Sequence, residues 1–386
     1  VGSKKRAMAA GAAVVALAGT VGAGAGTSAG ADGPRMRAPM LSMVSLGDSY
    51  SAGYTRLAGD PAEPDEAGKS GCEQTLGSYP YVLRDELAGR LGRVANVTCG
   101  GARTDDILGT PQKPTGHASL DRFGIPQPDP LTPFPLRAPQ IDAVRPDTDV
   151  VTVGIGGNDY FSLLATLCLE ADAADDDPGR CQDNLKDGQY AGLGLPADDP
   201  GLDGPRQALA GRYRTLLGEL HARAPHARIY VVGYPTVIPR DTGTCAPNSQ
   251  ELFTLDREDL DWLRQILDGV NAVMASATAS ANEQGVPAQF VDTHHATVGK
   301  DACAPRDTKW VEGYSEKIGV IGAGGWGDPA LIHPNYLYHR YVARQLAQRI
   351  RRDVAAPSVG GTDKSSRTAG REGERRKSKV GAVAVS

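Results

Sequence analysis

The sequence predicts an α/β fold, a three-layer α/β/α sandwich with a central, mostly parallel five-stranded sheet. Three observations predict it. Short Val-, Ile- and Leu-rich runs alternate with amphipathic stretches, the order of βα units. Asp149–Ile155 and Arg228–Tyr234 are continuously apolar, as strands covered on both faces are. The glycine-containing polar motifs follow strands, where the sites of such folds lie.

In chain order, Met40–Leu46 (MLSMVSL) reads as the first strand and Tyr79–Leu91 as an amphipathic helix. Val94–Thr98 is a short strand and Asp149–Ile155 the third. Arg206–Arg223 is helical, with Leu209, Tyr213, Leu216, Leu217 and Leu220 on one stripe. Arg228–Tyr234 is the fourth strand and Thr254–Asn282 a long helix. Ala288–Val291 is the fifth strand, and His333–Arg352 closes the body as a helix. Two insertions interrupt the alternation. Pro111–Pro146 carries nine of the 27 prolines, which excludes a packed helix or central strand and suggests a lid, a substrate wall or a plain surface loop. Ala171–Pro205 is rich in Asp and Gly and reads as a solvated acidic loop; Asp175-Asp176-Asp177 lacks the spacing of a calcium loop.

The chain has 386 residues, 40% of them apolar, enough to bury a core and exclude wholesale disorder. Residues 1–31 read as a secretory signal peptide. Lys4, Lys5 and Arg6 precede an Ala- and Gly-rich apolar run, and Ala29-Gly30-Ala31 offers a cleavage site. Residues 358–386 form a basic tail without apolar periodicity, expected to be disordered, solvated or attached to an anionic surface. The folded body, the expected domain, then spans residues 32–357. Of the net charge of −5, the leader carries +3 and the tail +4, which leaves −12 on the body. Such a body is no general nucleic-acid binder. Six cysteines, Cys72, Cys99, Cys168, Cys181, Cys245 and Cys303, suggest three disulfides in an exported chain. Spacing alone leaves 15 connectivities open, though Cys168 and Cys181 are an easy local pair.

Four blocks carry chemistry. Gly47-Asp48-Ser49-Tyr50-Ser51-Ala52-Gly53 leaves the first strand, so that Ser49 stands at the carboxyl edge and its own N–H can face an oxyanion. Cys99-Gly100-Gly101-Ala102 follows the second strand, and a glycine there lets a backbone N–H approach a substrate oxygen. Gly156-Gly157-Asn158-Asp159 follows the third, and Asn158 is a neutral donor for the same oxyanion. His333-Pro334-Asn335 opens the last helix; His294 and His295, after the fifth strand, compete with His333. Other matches fail in context. Gly26–Gly30 fits a nucleophile elbow but lies in the leader. Gly322–Gly327 and Gly154-Ile155-Gly156 suggest a dinucleotide loop. The first is followed by Asp328-Pro329 instead of a helix, and the second puts Asp159 where the third glycine belongs.

Together the blocks GDSYSAG, CGGA, GGND and HPN resemble those of the SGNH, or GDSL, hydrolases, a flavodoxin-like family of serine esterases and lipases. The resemblance spans about Met40 to Arg352, and secreted actinobacterial lipases, esterases and phospholipases are the nearest likeness. It implies Ser49 as nucleophile, His333 as general base, and an oxyanion hole of Ser49, Gly101 and Asn158. It also implies sequential disulfides, Cys72–Cys99, Cys168–Cys181 and Cys245–Cys303. One position departs from the pattern. The family usually has Asp three residues before the histidine, and here that residue is Ala330. The acceptor orienting His333 is then the Ala330 main-chain carbonyl, the favoured choice, or the Asp328 carboxylate, or a residue elsewhere. A carbonyl stabilises imidazolium less than a carboxylate does, so modest turnover is expected.

The expected reaction is acyl transfer from lipid esters, acylglycerol or phospholipid, by a monomer without cofactor or metal. Deacetylation of carbohydrate esters is the alternative within the family. Outside it stand a catalytically weak surface-binding protein with a hydrolase fold and a nucleotide-dependent oxidoreductase.

Overall fold

The computed structural model describes residues 40–53, 70–114, 134–174, 180–244 (without 194, 196 and 200), 255–313 (without 256 and 306) and 332–355. The leader, the basic tail and Asp175–Asp177 lie outside these residues, as do the glycine motifs at 26–30 and 322–327.

The elements run in βα order: β1 (Leu41–Gly47), α1 (Ser49–Ala52), α2 (Tyr79–Glu86), β2 (Leu91–Asn96), α3 (Thr104–Leu108), β3 (Val150–Gly154), α4 (Gly157–Ala174), α5 (Arg180–Lys186), α6 (Asp203–Arg223), β4 (Arg228–Val232), α7 (Arg257–Glu283), β5 (Ala288–Val291) and α8 (Tyr336–Ala355). The five strands pair in the order β2-β1-β3-β4-β5, every pair parallel. Alternate side chains of each strand enter opposite cores. Val44, Leu46, Val151, Val153, Ile229 and Val231 pack with α3, α4, α6 and α7. Met43, Val150, Tyr230 and Val232 pack with Leu83, Leu87, Val342, Leu346 and Ile350 of the α2–α8 side. Both faces are therefore dry, and the strands show no polar alternation. Strand order reverses between β1 and β3, which places the crevice of this fold at the end of β1. Among the described residues no helix is long and apolar enough to cross a membrane.

Several expected boundaries move. The helix expected to run to Leu91 ends at Glu86, because Gly89 turns the chain at φ +80° and Leu91 pairs with Leu41 in the sheet. The second strand accordingly begins at Leu91 instead of Val94. His333 and Pro334 precede α8 instead of opening it. Pro334 bridges Val311, and the Asn335 side chain accepts from Leu337 N–H at 3.0 Å as a cap. Ala171–Pro205 is more than a loop, since it holds the end of α4, all of α5 and the start of α6. Of Pro111–Pro146, residues 111–114 and 134–146 are described, with one bridge, Gln112 to Arg137, and a single 3₁₀ turn, Gln140–Ala143. That is the irregular backbone its prolines require.

The α2–α8 contact holds a histidine that no motif marked. His339 is buried, and its Nδ1 accepts the Tyr79 N–H at 3.2 Å. It thereby serves one of the orphan donors of α2, since Ser78 supplies no side-chain cap. The imidazole must be neutral to accept. Burial, aided by the charge of His333, pushes its pKa down to about 3. Native His339 then binds fewer protons than the unfolded chain between about pH 3 and pH 6.5. Its share of stability is complete above that window and falls by up to about 1.4 kcal/mol per pH unit on acidification. Thermal unfolding should show a shallower decline from pH 6.5 to pH 4 in H339Q than in the parent chain; parallel slopes would contradict the assignment.

Candidate active site

Ser49 stands two residues past the end of β1, at the first position of α1. The turn requires glycine before it. Gly47 has φ +150°, and a Cβ there would meet Gly154 O at 2.5 Å. Asp48 caps the turn, its Oδ1 accepting from Tyr50 N–H at 2.9 Å. Gln140, from the proline-rich insertion, holds both polar groups of Gly47: Oε1 accepts its N–H at 2.7 Å and Nε2 donates to its carbonyl at 2.9 Å. Ser49 is nearly buried, and its Oγ lies 2.7 Å from His333 Nε2. Two residues 284 positions apart thus share one hydrogen bond.

The loop carrying His333 is pinned on several sides. His333 O accepts from Glu312 N–H at 2.9 Å. Buried Asn335 donates from Nδ2 to Lys309 O (3.0 Å) and Glu312 Oε1 (2.6 Å), and its own N–H reaches Trp310 O at 2.9 Å. The Tyr50 hydroxyl donates to Ile332 O at 2.8 Å. Ile332 itself adopts φ +57°. A β-branched residue in the left-handed region is strained by about 1–3 kcal/mol, and such strain persists only where neighbours over-determine the conformation.

Gly101 and Asn158 come to the same edge. Cys99 N–H bonds Gly47 O at 2.9 Å, and Gly100 N–H bonds Cys72 O at 3.0 Å beside the Cys72–Cys99 disulfide. Gly101 is exposed at φ +72°. Among the described residues the N–H groups of Ser49 and Gly101 have no acceptor. Asn158 Nδ2 donates one hydrogen to Ala102 O at 2.9 Å, which fixes the amide and leaves its second hydrogen to point elsewhere. Asp159, where a dinucleotide loop would need glycine, accepts from Thr104 N–H (3.1 Å), Thr104 Oγ1 (2.5 Å) and Arg212 Nη1 (3.2 Å). Its buried carboxyl is raised by desolvation despite those partners. It is a strut joining α4 to the start of α3 and to α6, and a pyrophosphate has no place there.

Of the other predicted residues, Ala330 and Asp328 lie outside the described residues. His294 pairs with Asp268 at 3.1 Å and exposed His295 with Asp292 at 2.6 Å, whereas the imidazole that meets Ser49 Oγ is His333. Cys168–Cys181 forms a second disulfide; Cys303 is disulfide-bonded too, and the remaining cysteine, Cys245, is outside the described residues.

The sequence reading missed Tyr234. Its hydroxyl donates to Asp48 Oδ2 at 2.5 Å and accepts Gly157 N–H at 2.8 Å, so one buried oxygen joins the serine and asparagine blocks. Its place at the end of the fourth expected strand was a usable signal. Gln140 and Tyr50 were also missed, the first inside an insertion with no motif, the second inside the serine block itself.

A family model described as the GDSL-like lipase/acylhydrolase family matches residues 45–318. The chain belongs to that family. The match takes in the serine, glycine and asparagine blocks of this GDSL hydrolase and stops short of His333. Two Streptomyces relatives resemble it along most of its length. "Lipase 2" of Streptomyces coelicolor is 32% identical over 86% of this chain and 93% of its own. An "Esterase" of Streptomyces scabiei is 28% identical over 80% and 85%. In fold, the GDSL hydrolase is similar to the crystal structure of phospholipase A1 from Streptomyces albidoflavus NA297, with a TM-score of 0.50 and 18% identity over 81% of this chain and 99% of the other. The protein is a carboxylic ester hydrolase.

Asp48 has a measurable consequence. Burial raises its pKa to about 7, against the bonds from Tyr234 and Tyr50 N–H that favour the carboxylate. The native carboxyl thus keeps a proton between about pH 4 and pH 7 that the unfolded chain releases, and stability falls as pH rises through that window. In D48N this loss is absent. The unfolding free energy of D48N relative to the parent should therefore shift in the variant's favour from pH 5 to pH 7, by at most about 1.4 kcal/mol per unit. A pH-independent difference in denaturant titrations would mean that Asp48 is ionised throughout.

Proposed function

We propose that this GDSL hydrolase is a secreted serine esterase that cleaves carboxylic esters of lipids through a Ser49 acyl-enzyme. One observation carries the reading: Ser49 Oγ within 2.7 Å of His333 Nε2, at the carboxyl edge where the strand order reverses. His333 Nε2 takes the hydroxyl proton as Oγ bonds to the ester carbonyl carbon. The tetrahedral oxyanion is met by the N–H groups of Ser49 and Gly101 and the free Asn158 amide hydrogen, donors that need no reorganisation. The proton on Nε2 passes to the leaving alcohol, and water repeats the sequence to release the acid. Lipid as the acyl source is supported by the name of the 32%-identical relative, a lipase. Export is supported by the layout of the leader and by the disulfides, which persist in oxidising compartments. The Ala330 carbonyl is the proposed acceptor for the other imidazole nitrogen, with Asp328 the competitor.

Replacing Ser49 by Ala should reduce hydrolysis of p-nitrophenyl esters by at least about 10³-fold while leaving the fold intact. Retained turnover in S49A would refute the nucleophile. Esters of graded chain length, with phospholipid and acetylated sugar alongside, test the substrate class. A preference for acetylated sugar would refute lipid as the substrate. For the orienting group, D328N should be nearly silent, and a loss above about 10²-fold would transfer the role to Asp328.

A further inference from the structure

We propose that Tyr50 is a positioning residue for the hydrolysis: its single hydroxyl, bonded to the Ile332 carbonyl, locks the loop carrying His333 to the turn that carries Ser49. The proposal rests on the reading of Ser49 and His333 given above.

Tyr50 follows Ser49 on α1, yet its side chain serves the base. The hydroxyl donates to Ile332 O at 2.8 Å, and the ring lies 4.7 Å from the His333 imidazole with 36° between the planes. The acceptor belongs to the peptide that joins Ile332 to His333. Fixing that peptide plane fixes the direction in which the His333 side chain leaves the backbone. Ile332 is where such control is needed, because its left-handed conformation is strained for a β-branched residue. The other pins tie the loop elsewhere. Glu312 N–H holds the His333 carbonyl, and Asn335 holds the segment 309–312. The Tyr50 hydroxyl supplies a link between the two loops that is independent of the Ser49–His333 bond.

Tyr50 is itself held firmly. Its ring packs edge-on against Tyr234 at 5.2 Å, and the Tyr234 hydroxyl grips Asp48, the cap of the same turn. Burial and the nearby Asp48 raise the Tyr50 ionisation far above its ordinary range, so the hydroxyl stays a donor at every working pH. The chain of contacts from Asp48 through Tyr234 and Tyr50 to Ile332 thus has a direction: a rigid serine turn imposes its frame on a strained histidine loop.

Y50F removes one oxygen and keeps the ring. Expected is a kcat about 10-fold lower, referred to active sites titrated with a fluorophosphonate, with KM within about two-fold of the parent and little change in Tm. The rate of fluorophosphonate labelling of Ser49 should fall in the same ratio, since it depends on His333 without depending on substrate fit. Referring kcat to titrated sites removes any misfolded fraction from the comparison. A kcat within two-fold of the parent, or a loss confined to KM, would overturn the proposal. Parent protein that is not labelled at Ser49 would instead defeat the underlying reading of the site, so the two failures are told apart.

Discussion

The buried hydroxyl of Tyr234 is the constraint on which the site depends. It gives its hydrogen to Asp48 Oδ2 and takes one from Gly157 N–H. The serine turn and the asparagine turn are thereby referred to one atom carried on the chain just past β4. The arrangement works because β1, β3 and β4 are consecutive neighbours in the sheet. Their carboxyl ends lie at strand spacing, within reach of one tyrosine side chain. Remove the parallel order and the same three motifs would be scattered over opposite edges. The geometry of the site is a property of the sheet topology first and of the motifs second.

The polar scaffold under the site is dry, and this gives its charges opposite effects. Buried Asp48 holds a proton that the unfolded chain would shed, and buried His339 refuses one that the unfolded chain would take. Their slopes with pH have opposite signs and overlap between about pH 4 and pH 6.5, so they partly cancel. Both groups are retained by hydrogen bonds that their neighbours cannot make otherwise. Asp48 closes the serine turn, and His339 satisfies the first turn of α2. Unpaired buried donors would destabilise the fold by about 1–3 kcal/mol each, comparable to the burden of a displaced pKa.

What the sequence revealed and what it hid divide along sequence separation. The apolar runs of β3 and β4 were legible because helices cover both faces of those strands, and the stripe of Leu209, Tyr213, Leu216 and Leu220 marked α6 for the same reason. Edge strand β2 was misplaced by three residues, since Gly92 and Arg93 interrupt its apolar character and most of it is half-exposed. Helix α4 was unread because YFSLLATLCL offers little polar contrast to set a period. Ser49, Gly101, Asn158 and His333 each sit in a short local block, so sequence could nominate them. The atoms that hold them in place could not be nominated. Gln140 reaches Gly47 across 93 positions, Tyr234 reaches Asp48 across 186, and Tyr50 reaches Ile332 across 282. A contact of that range leaves no spacing to read.

That asymmetry explains why the left-handed β-branched residue is found on the His333 loop and not on the Ser49 turn. The serine turn is built by local rules: a glycine that admits close approach, an aspartate cap and a helix start. The aspartate cap is satisfied two residues on, and the glycine's close approach is completed by β3. The histidine loop has no comparable local program. It must place an imidazole 2.7 Å from the Ser49 hydroxyl and enter α8 three residues later. The backbone meets these demands by accepting a left-handed isoleucine and then holding it from both sides, through Tyr50 on one and the 309–312 segment on the other.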